Sequence, residues 1–307
     1  MITLGVDTSN YATSVALYNS NTKAIIAEHK AFLPVKEGEV GLRQSDAVFE
    51  HVRQLPKVLQ ELTEYKEYYE IDGVGVSVKP RNHENSYMPC FLAGKLVASA
   101  IALQAQKPLF EFSHQEGHIA AALFGAEQLD LWNKQFFVFH VSGGTTDLIL
   151  ANGIYETEEI GTSSDLYAGQ AIDRLGQLLE LPFPSGEYIS NMAELSTAKI
   201  EIKKREPAFT VSFSGLENQF RKKIQDKELA EDVCKYTLLY IAETLSKMAD
   251  AACSKYGELP IIASGGVMGS KVIAEYLLKK HEKIYFAPAK LSSDNAVGIA
   301  ILASKGK

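Results

Sequence analysis

Cysteine is scarce in this chain. The three present, Cys90, Cys234 and Cys253, stand far apart and never in Cys-x-x-Cys spacing. That excludes a disulfide framework, and it fits a reducing compartment. Positive charge is not in excess either: the formal net charge is −7, whereas a protein that grips nucleic acid unaided carries a basic face. The basic runs Lys203-Lys204-Arg205 and Arg221-Lys222-Lys223 are short enough to be solvated surface, so an RNA ligand is expected only with a partner's help. No apolar run reaches the ~18 residues that span a membrane. The opening Met1-Ile2-Thr3-Leu4-Gly5-Val6-Asp7 lacks the basic region and apolar core of a signal peptide. These absences lead us to expect a soluble, cytoplasmic protein with no membrane partner.

What is present is the composition of a globular protein: 46% hydrophobic and 22% charged residues over 307 positions, long enough for two domains. The start reads as a strand over Ile2–Val6, a polar turn at Asp7-Thr8-Ser9-Asn10 and a second strand over Thr13–Tyr18. The same device returns later: a strand over Phe136–Val141, the turn Ser142-Gly143-Gly144-Thr145-Thr146, and a strand over Asp147–Ala151. Small polar residues at such a tip let backbone N–H groups meet a phosphate, although ordinary hairpin tips look the same. Helical spacing marks Ser45–Tyr65, Phe91–Gln104, Gln115–Phe124, Asp165–Leu181 and Leu229–Tyr256. Further strands are expected at Ile71–Val78, Pro108–Phe112, Leu259–Ala263 and Ile284–Phe286, and a last helix at Asp294–Ser304. Two like hairpins suggest an internal duplication, hence an α/β chain of the ASKHA plan (the sugar kinase, Hsp70 and actin architecture). Two duplicated lobes around a nucleotide cleft are expected, residues 1–110 plus 295–307 and residues 111–294.

The sharpest chemical feature is His114-Gln115-Glu116-Gly117-His118. Histidines four apart share one helix face, a spacing that suits two imidazoles on one metal ion, though helix-surface and core histidines also occur in pairs. A zincin would place its glutamate where Gln115 stands, which argues against a protease even with metal bound. Asp294, at an expected helix start, is the best third ligand; its ordinary role there would be an N-cap. Ser264-Gly265-Gly266 leads from a strand into a helix, where a nucleotide could lie at the helix N-terminus. No Ser-His-Asp constellation is seen, and no catalytic residue is assigned.

In this combination and order the motifs resemble the TsaD family (also Gcp or YgjD), from about Leu4 to Ala303. The resemblance implies an ASKHA fold. It implies transfer of a threonylcarbamoyl group from its adenylate to N6 of adenosine 37 of tRNA. It implies one divalent metal, zinc or iron, on His114, His118 and Asp294, and ATP, AMP or the acyl-adenylate as nucleotide ligand. His140, Val141, Ser142, Gly143, Gly144 and Thr145 match the family's Val-Ser-Gly-Gly phosphate loop and its flanks. Asp173 matches the ribose-binding aspartate, Gly186 a nucleotide-contacting glycine, and Gly265, Gly266 and Ser270 the Gly-Gly-Val-x-x-Asn loop. Val211–Leu216 nearly keeps a Phe-Ser-Phe-Ser-Gly-Leu signature, and His51–Pro56 keeps a His-Val-Arg-x-Leu-Pro helix.

The departures cluster. Where the family opens Glu-Thr-Ser-Cys-Asp-Glu-Thr, this chain has Asp7-Thr8-Ser9-Asn10-Tyr11-Ala12-Thr13, so the acidic pair is replaced by Tyr11-Ala12. The family's Gly-Pro-Gly loop is Lys79-Pro80-Arg81, and its loop Asn is Ser270. Ser9, Asn10, Tyr11, Lys79 and Arg81 are therefore the candidates for an altered acyl or acceptor pocket. A metal-dependent transferase of TsaD type is the first expectation. A non-catalytic nucleotide- and metal-binding scaffold is the alternative, and a glycoprotease is disfavoured. The family's partners imply a TsaB-like heterodimer or a homodimer, involving the small-residue helix Phe91–Gln104.

Overall fold

Two mixed sheets carry the same strand order. The computed structural model describes residues 1–34, 42–83, 85–292 and 296–306. The chain divides into two compact units, Met1–Phe124 with Ser293–Lys307, and Gly125–Ser292.

The first unit contains β1 (Ile2–Thr8), β2 (Ala12–Asn19), β3 (Ala24–Phe32), α1 (Gln44–Leu62), β4 (Gly73–Lys79), α2 (Phe91–Ala105), β5 (Leu109–Ser113) and α3 (His114–Gly125). Its sheet runs β3-β2-β1-β4-β5. β1, β2 and β3 form an antiparallel meander, and β4 and β5 continue in parallel from β1. The central strands are apolar almost throughout, as strands covered on both faces must be. Leu4, Val6, Val15, Leu17, Val74 and Val76 pack with Leu55, Val58 and Leu62 of α1 and Ala93, Ala98 and Ala102 of α2. The expected lobe boundary at 110/111 falls inside β5. The division lies at 124/125 because β5 pairs with β4 and carries α3 with it.

The second unit contains β6 (Gln135–Val141), β7 (Thr146–Asn152), β8 (Thr157–Ser163), α4 (Ala168–Leu178), α5 (Gly186–Leu195), β9 (Thr210–Val211), α6 (Ser214–Gln225), α7 (Ala230–Tyr256), β10 (Ile261–Ser264), α8 (Lys271–Leu278), β11 (Ile284–Phe286) and α9 (Ala289–Ser292). Its sheet runs β11-β10-β6-β7-β8-β9. With β9 set aside, β6, β7, β8, β10 and β11 repeat the order and directions of β1 to β5. The duplication inferred from two like turns is therefore present in the topology. Phe137, Phe139 and Leu148 of this sheet pack with Leu238, Ile241, Leu245 and Met248 of the long helix α7 and with Ile172 and Leu175 of α4.

The last helix, α10 (Val297–Lys305), returns to the first sheet, where Thr3 donates its hydroxyl to the Ala300 carbonyl at 2.7 Å. Among the described residues no helix is long and apolar enough to cross a membrane.

Candidate functional site

In the first unit the tip of the β1–β2 hairpin is shaped by one side chain. Ser9 Oγ accepts the N–H groups of Tyr11 and Ala12, each at 3.1 Å. His51 is fully buried beneath this turn, its Nε2 donating to the Ser9 carbonyl at 2.9 Å and its Nδ1 2.8 Å from the Thr13 hydroxyl. Burial pushes the His51 imidazole below its ordinary pKa, against the opposing pull of the Ser9 carbonyl and the Asp7 charge. Gln44 donates to Asn10 Oδ1 at 2.7 Å and accepts the Cys90 N–H at 3.2 Å. The tip is thus tied to the starts of α1 and α2. Tyr11 projects outward, 57% exposed. Gly94 lets α2 approach closely: a Cβ there would lie 2.7 Å from Thr8 Oγ1.

The start of α3 carries the histidines. Ser113 N–H donates to Glu116 Oε2 at 2.6 Å, and Glu116 N–H donates to Ser113 Oγ at 3.2 Å. This reciprocal pair is a capping box, and it occupies the buried Glu116 as a cap. Gln115 N–H donates to the Pro80 carbonyl at 3.0 Å and Asn82 Nδ2 to Glu116 Oε1 at 3.4 Å, fastening the rewritten loop to the same helix turn. Lys79 ends β4 in register with Ser113, and exposed Arg81 donates its N–H to Ser86 Oγ at 2.8 Å.

On the shared face, His114 and His118 bring their Nε2 atoms to 2.9 Å. Gly117, between them, faces the neighbouring helix, where a Cβ would meet the side-chain end of Ile299, Cδ1, at 2.9 Å. His114 Nδ1 lies 3.0 Å from Oδ1 of the fully buried Asp7. Two imidazole nitrogens in hydrogen-bond contact on one helix face are donor types that suit zinc or iron. Among the described residues no three histidine, cysteine or carboxylate side chains are arranged as a complete metal-ligand group. The expected third ligand, Asp294, lies outside the described residues.

In the second unit the Ser142–Thr145 turn is closed by Ser142 N–H donating to the Thr145 carbonyl at 2.9 Å and Gly144 N–H donating to Ser142 Oγ at 3.2 Å. The first turn of α4 sits directly on it. Gly169 N–H donates to the Ser142 carbonyl at 3.2 Å, and a Cβ at Gly169 would stand 2.5 Å from Gly143 N. Gly265, at φ +103°, lies against the Val141 backbone, where a Cβ would come within 2.1 Å of the carbonyl oxygen. His140 lies on β6 between Asp147 and Ser264 of the flanking strands. Thr145 Oγ1 is buried with no partner among the described residues, a polar atom suited to a ligand's phosphate.

Asp173 accepts the Ser185 N–H at 2.9 Å and faces Gly143, so it joins this turn to the start of α5 at Gly186. Burial raises the Asp173 pKa, opposed by the Ser185 hydrogen bond. Ser190 of α5 donates to Ser270 Oγ at 3.1 Å, at the entry to α8. Gly186 and Gly266 both border open space. The structure thus gathers the expected nucleotide residues within one unit and the expected histidines and acyl-pocket residues within the other.

Asp7, His51, Ser113, Glu116, Gly169 and Ser185 were not among the residues singled out for these sites. A signal existed for two of them: Ser113-x-x-Glu116 is the capping-box pattern.

Residues 36–301 match the family described as TsaD, tRNA N6-adenosine threonylcarbamoyltransferase. The chain belongs to the TsaD family. Its fold is shared by component A of the (R)-2-hydroxyglutaryl-CoA dehydratase of Acidaminococcus fermentans, at 17% identity over 99% of this chain and 98% of that one, TM-score 0.57. A ROK family glucokinase from Streptomyces griseus, solved with glucose and AMPPNP, matches at 12% identity over the whole of both chains, TM-score 0.55. HypF from T. kodakarensis matches at 11% identity over 99% of this chain and 47% of its own, TM-score 0.60. At such identities the likeness is one of fold, and it places this TsaD family member in the ASKHA class.

Proposed function

We propose that this chain is a metal-dependent transferase of the TsaD type. It moves a threonylcarbamoyl or related carbamoyl group from its adenylate to an amine, in the family N6 of adenosine 37 of tRNA. The observation that carries the reading is the family match over residues 36–301 in a chain whose His114 and His118 Nε2 atoms converge at 2.9 Å. Nucleotide binding is supported further by the fold neighbours solved with ADPNP and AMPPNP.

In this reading the N–H groups of the Ser142–Thr145 turn and the Thr145 hydroxyl hold the adenylate phosphate. Asp173 and Gly186 take the ribose, and Gly265, Gly266 and Ser270 border the adenine. His114 and His118, with Asp294, hold the metal, which when bound supplies Lewis-acid polarisation of the acyl-phosphate group. The amine nitrogen bonds to the carbamoyl carbon as that carbon's bond to the phosphate oxygen breaks; AMP leaves with the electron pair, and the proton lost from the amine passes to solvent. Ser9, Asn10, Tyr11, Lys79 and Arg81 shape the acyl and acceptor side.

Partners and setting belong to the same reading. The exposed face of α2 carries Leu92, Leu96, Ala100 and Leu103 at helical spacing, which supports a homodimer or a TsaB-like heterodimer. The charge of −7 supports tRNA capture only with a partner, and the buried thiols of Cys90 and Cys234, neither of them in a disulfide, support a cytoplasmic setting.

The test is AMP release from a threonylcarbamoyl-adenylate with tRNA and partner present. His114→Ala should abolish it, and unchanged turnover would remove the metal role. One observation favours a second reading, a non-catalytic nucleotide- and metal-binding paralogue: the turn at Asn10-Tyr11-Ala12 holds no carboxylate. That reading expects nucleotide binding with no turnover on any acceptor.

A further inference from the structure

The carboxylate of Asp7 is fully buried at the end of β1. Ser77 of β4 donates its hydroxyl to Oδ1, and His114 Nδ1 stands 3.0 Å from the same atom. Oδ2 is buried with no hydrogen-bond partner among the described residues. An ionised carboxylate only accepts, so the hydrogen between it and His114 sits on Nδ1. In a neutral imidazole that leaves the lone pair on Nε2, the atom that faces His118 Nε2 at 2.9 Å.

We propose that Asp7 is a positioning residue for a divalent cation. It locks His114 in the Nδ1–H tautomer and aims the Nε2 lone pair at the point shared with His118. This rests on the metal reading given above, and it extends that reading to a residue behind the histidine pair. A carboxylate behind a metal-binding imidazole fixes the ring and raises its basicity, and losing it weakens metal binding about 10–100-fold.

The experiment uses the full chain, stripped of metal. Nitrogen-detected NMR of the histidine rings reports the tautomer, and zinc competition against a chromophoric chelator reports affinity. In the wild type His114 should carry its hydrogen on Nδ1. In Asp7→Ala the ring should redistribute toward Nε2–H, with zinc affinity about 10–100-fold lower. Asp7→Asn, which keeps an acceptor but no charge, should lose less. Should the alanine variant not fold, Asp7→Asn carries the comparison alone, with an expected loss of at least threefold (about 0.65 kcal/mol). An Nε2–H tautomer in the wild type, or zinc affinity unchanged in the folded Asp7 variants, would overturn the proposal and leave the metal reading standing. A wild type that binds zinc no better than His114→Ala would overturn both.

Discussion

Gly5 and Gly75 lie opposite one another across β1 and β4, and α10 runs over the pair. A Cβ at Gly5 would stand 2.3 Å from the Ala296 carbonyl oxygen, and one at Gly75 would stand 2.7 Å from the Ile299 carbonyl oxygen. Both obstacles are backbone, so neither can swing aside. Gly5→Ala and Gly75→Ala should each destabilise the protein by about 1–3 kcal/mol. Thermal unfolding of the purified variants checks this, and melting unchanged within a degree would mean that α10 does not bear on the sheet as described.

Asp165 ties two loops together. Its carboxylate accepts from Leu166 N–H, Phe213 N–H at 2.9 Å, Ser214 N–H at 3.3 Å and the Ser212 hydroxyl. Burial alone would raise its pKa, but these bonds from Ser212, Ser214, Phe213 and Leu166 outweigh it and hold the group well below the usual carboxylate range. A depressed folded-state pKa stabilises fully above the unfolded value of about 3.9 and is lost as pH falls below it. Asp165→Asn should therefore lower stability at pH 7 by about 1 kcal/mol, allowing for the residue's exposure. The gap from wild type should narrow on going to pH 3. A gap that stays constant across that range would contradict the assignment.

The outer face of α2 is apolar along its length, with Leu92 50%, Leu96 72% and Leu103 80% exposed. Patches of this kind mark association sites. Leu96→Glu and Leu103→Glu should abolish the proposed dimerisation, with itself or with a TsaB-like partner, while leaving the melting temperature of the isolated chain unchanged. Sedimentation velocity distinguishes the species. A wild type that stays monomeric alone and with such a partner would remove the interface.

Much of the fold was legible from periodicity. The parallel core strands and the helices α2, α3 and α7 lie within a few residues of expectation, because apolar runs and regular spacing dominate them. β3 and β8 went unrecognised. Ala24–Phe32 is half exposed and interrupted by Glu28, His29 and Lys30, and Thr157–Ser163 carries Glu158 and Glu159 outward. α6 buries only Leu216 and Phe220 among charged neighbours, and α5 begins at Gly186 without a side-chain cap. The helix expected from Asp165 starts at Ala168, because Asp165 spends its carboxylate on the Ser212–Ser214 loop.

The candidate site divides along the same line. His114 and His118 are neighbours by spacing alone. Asp7 reaches His114 across 107 positions and Ser77 across 70, a juxtaposition that exists only once β1, β4 and β5 lie side by side.

The repeated strand order has an evolutionary consequence. β1 and β2 pair without interruption from Ile2↔Asn19 to Thr8↔Thr13, and β6 and β7 from Gln135↔Asn152 to Val141↔Thr146. The frame of each hairpin is thus complete before its tip begins. A few tip residues can be exchanged while every strand pairing and its hydrophobic cover persist. One duplicated scaffold can accordingly diversify its chemistry at two separate places, with Asn10–Ala12 changed in this chain while Ser142–Gly144 keeps the family pattern.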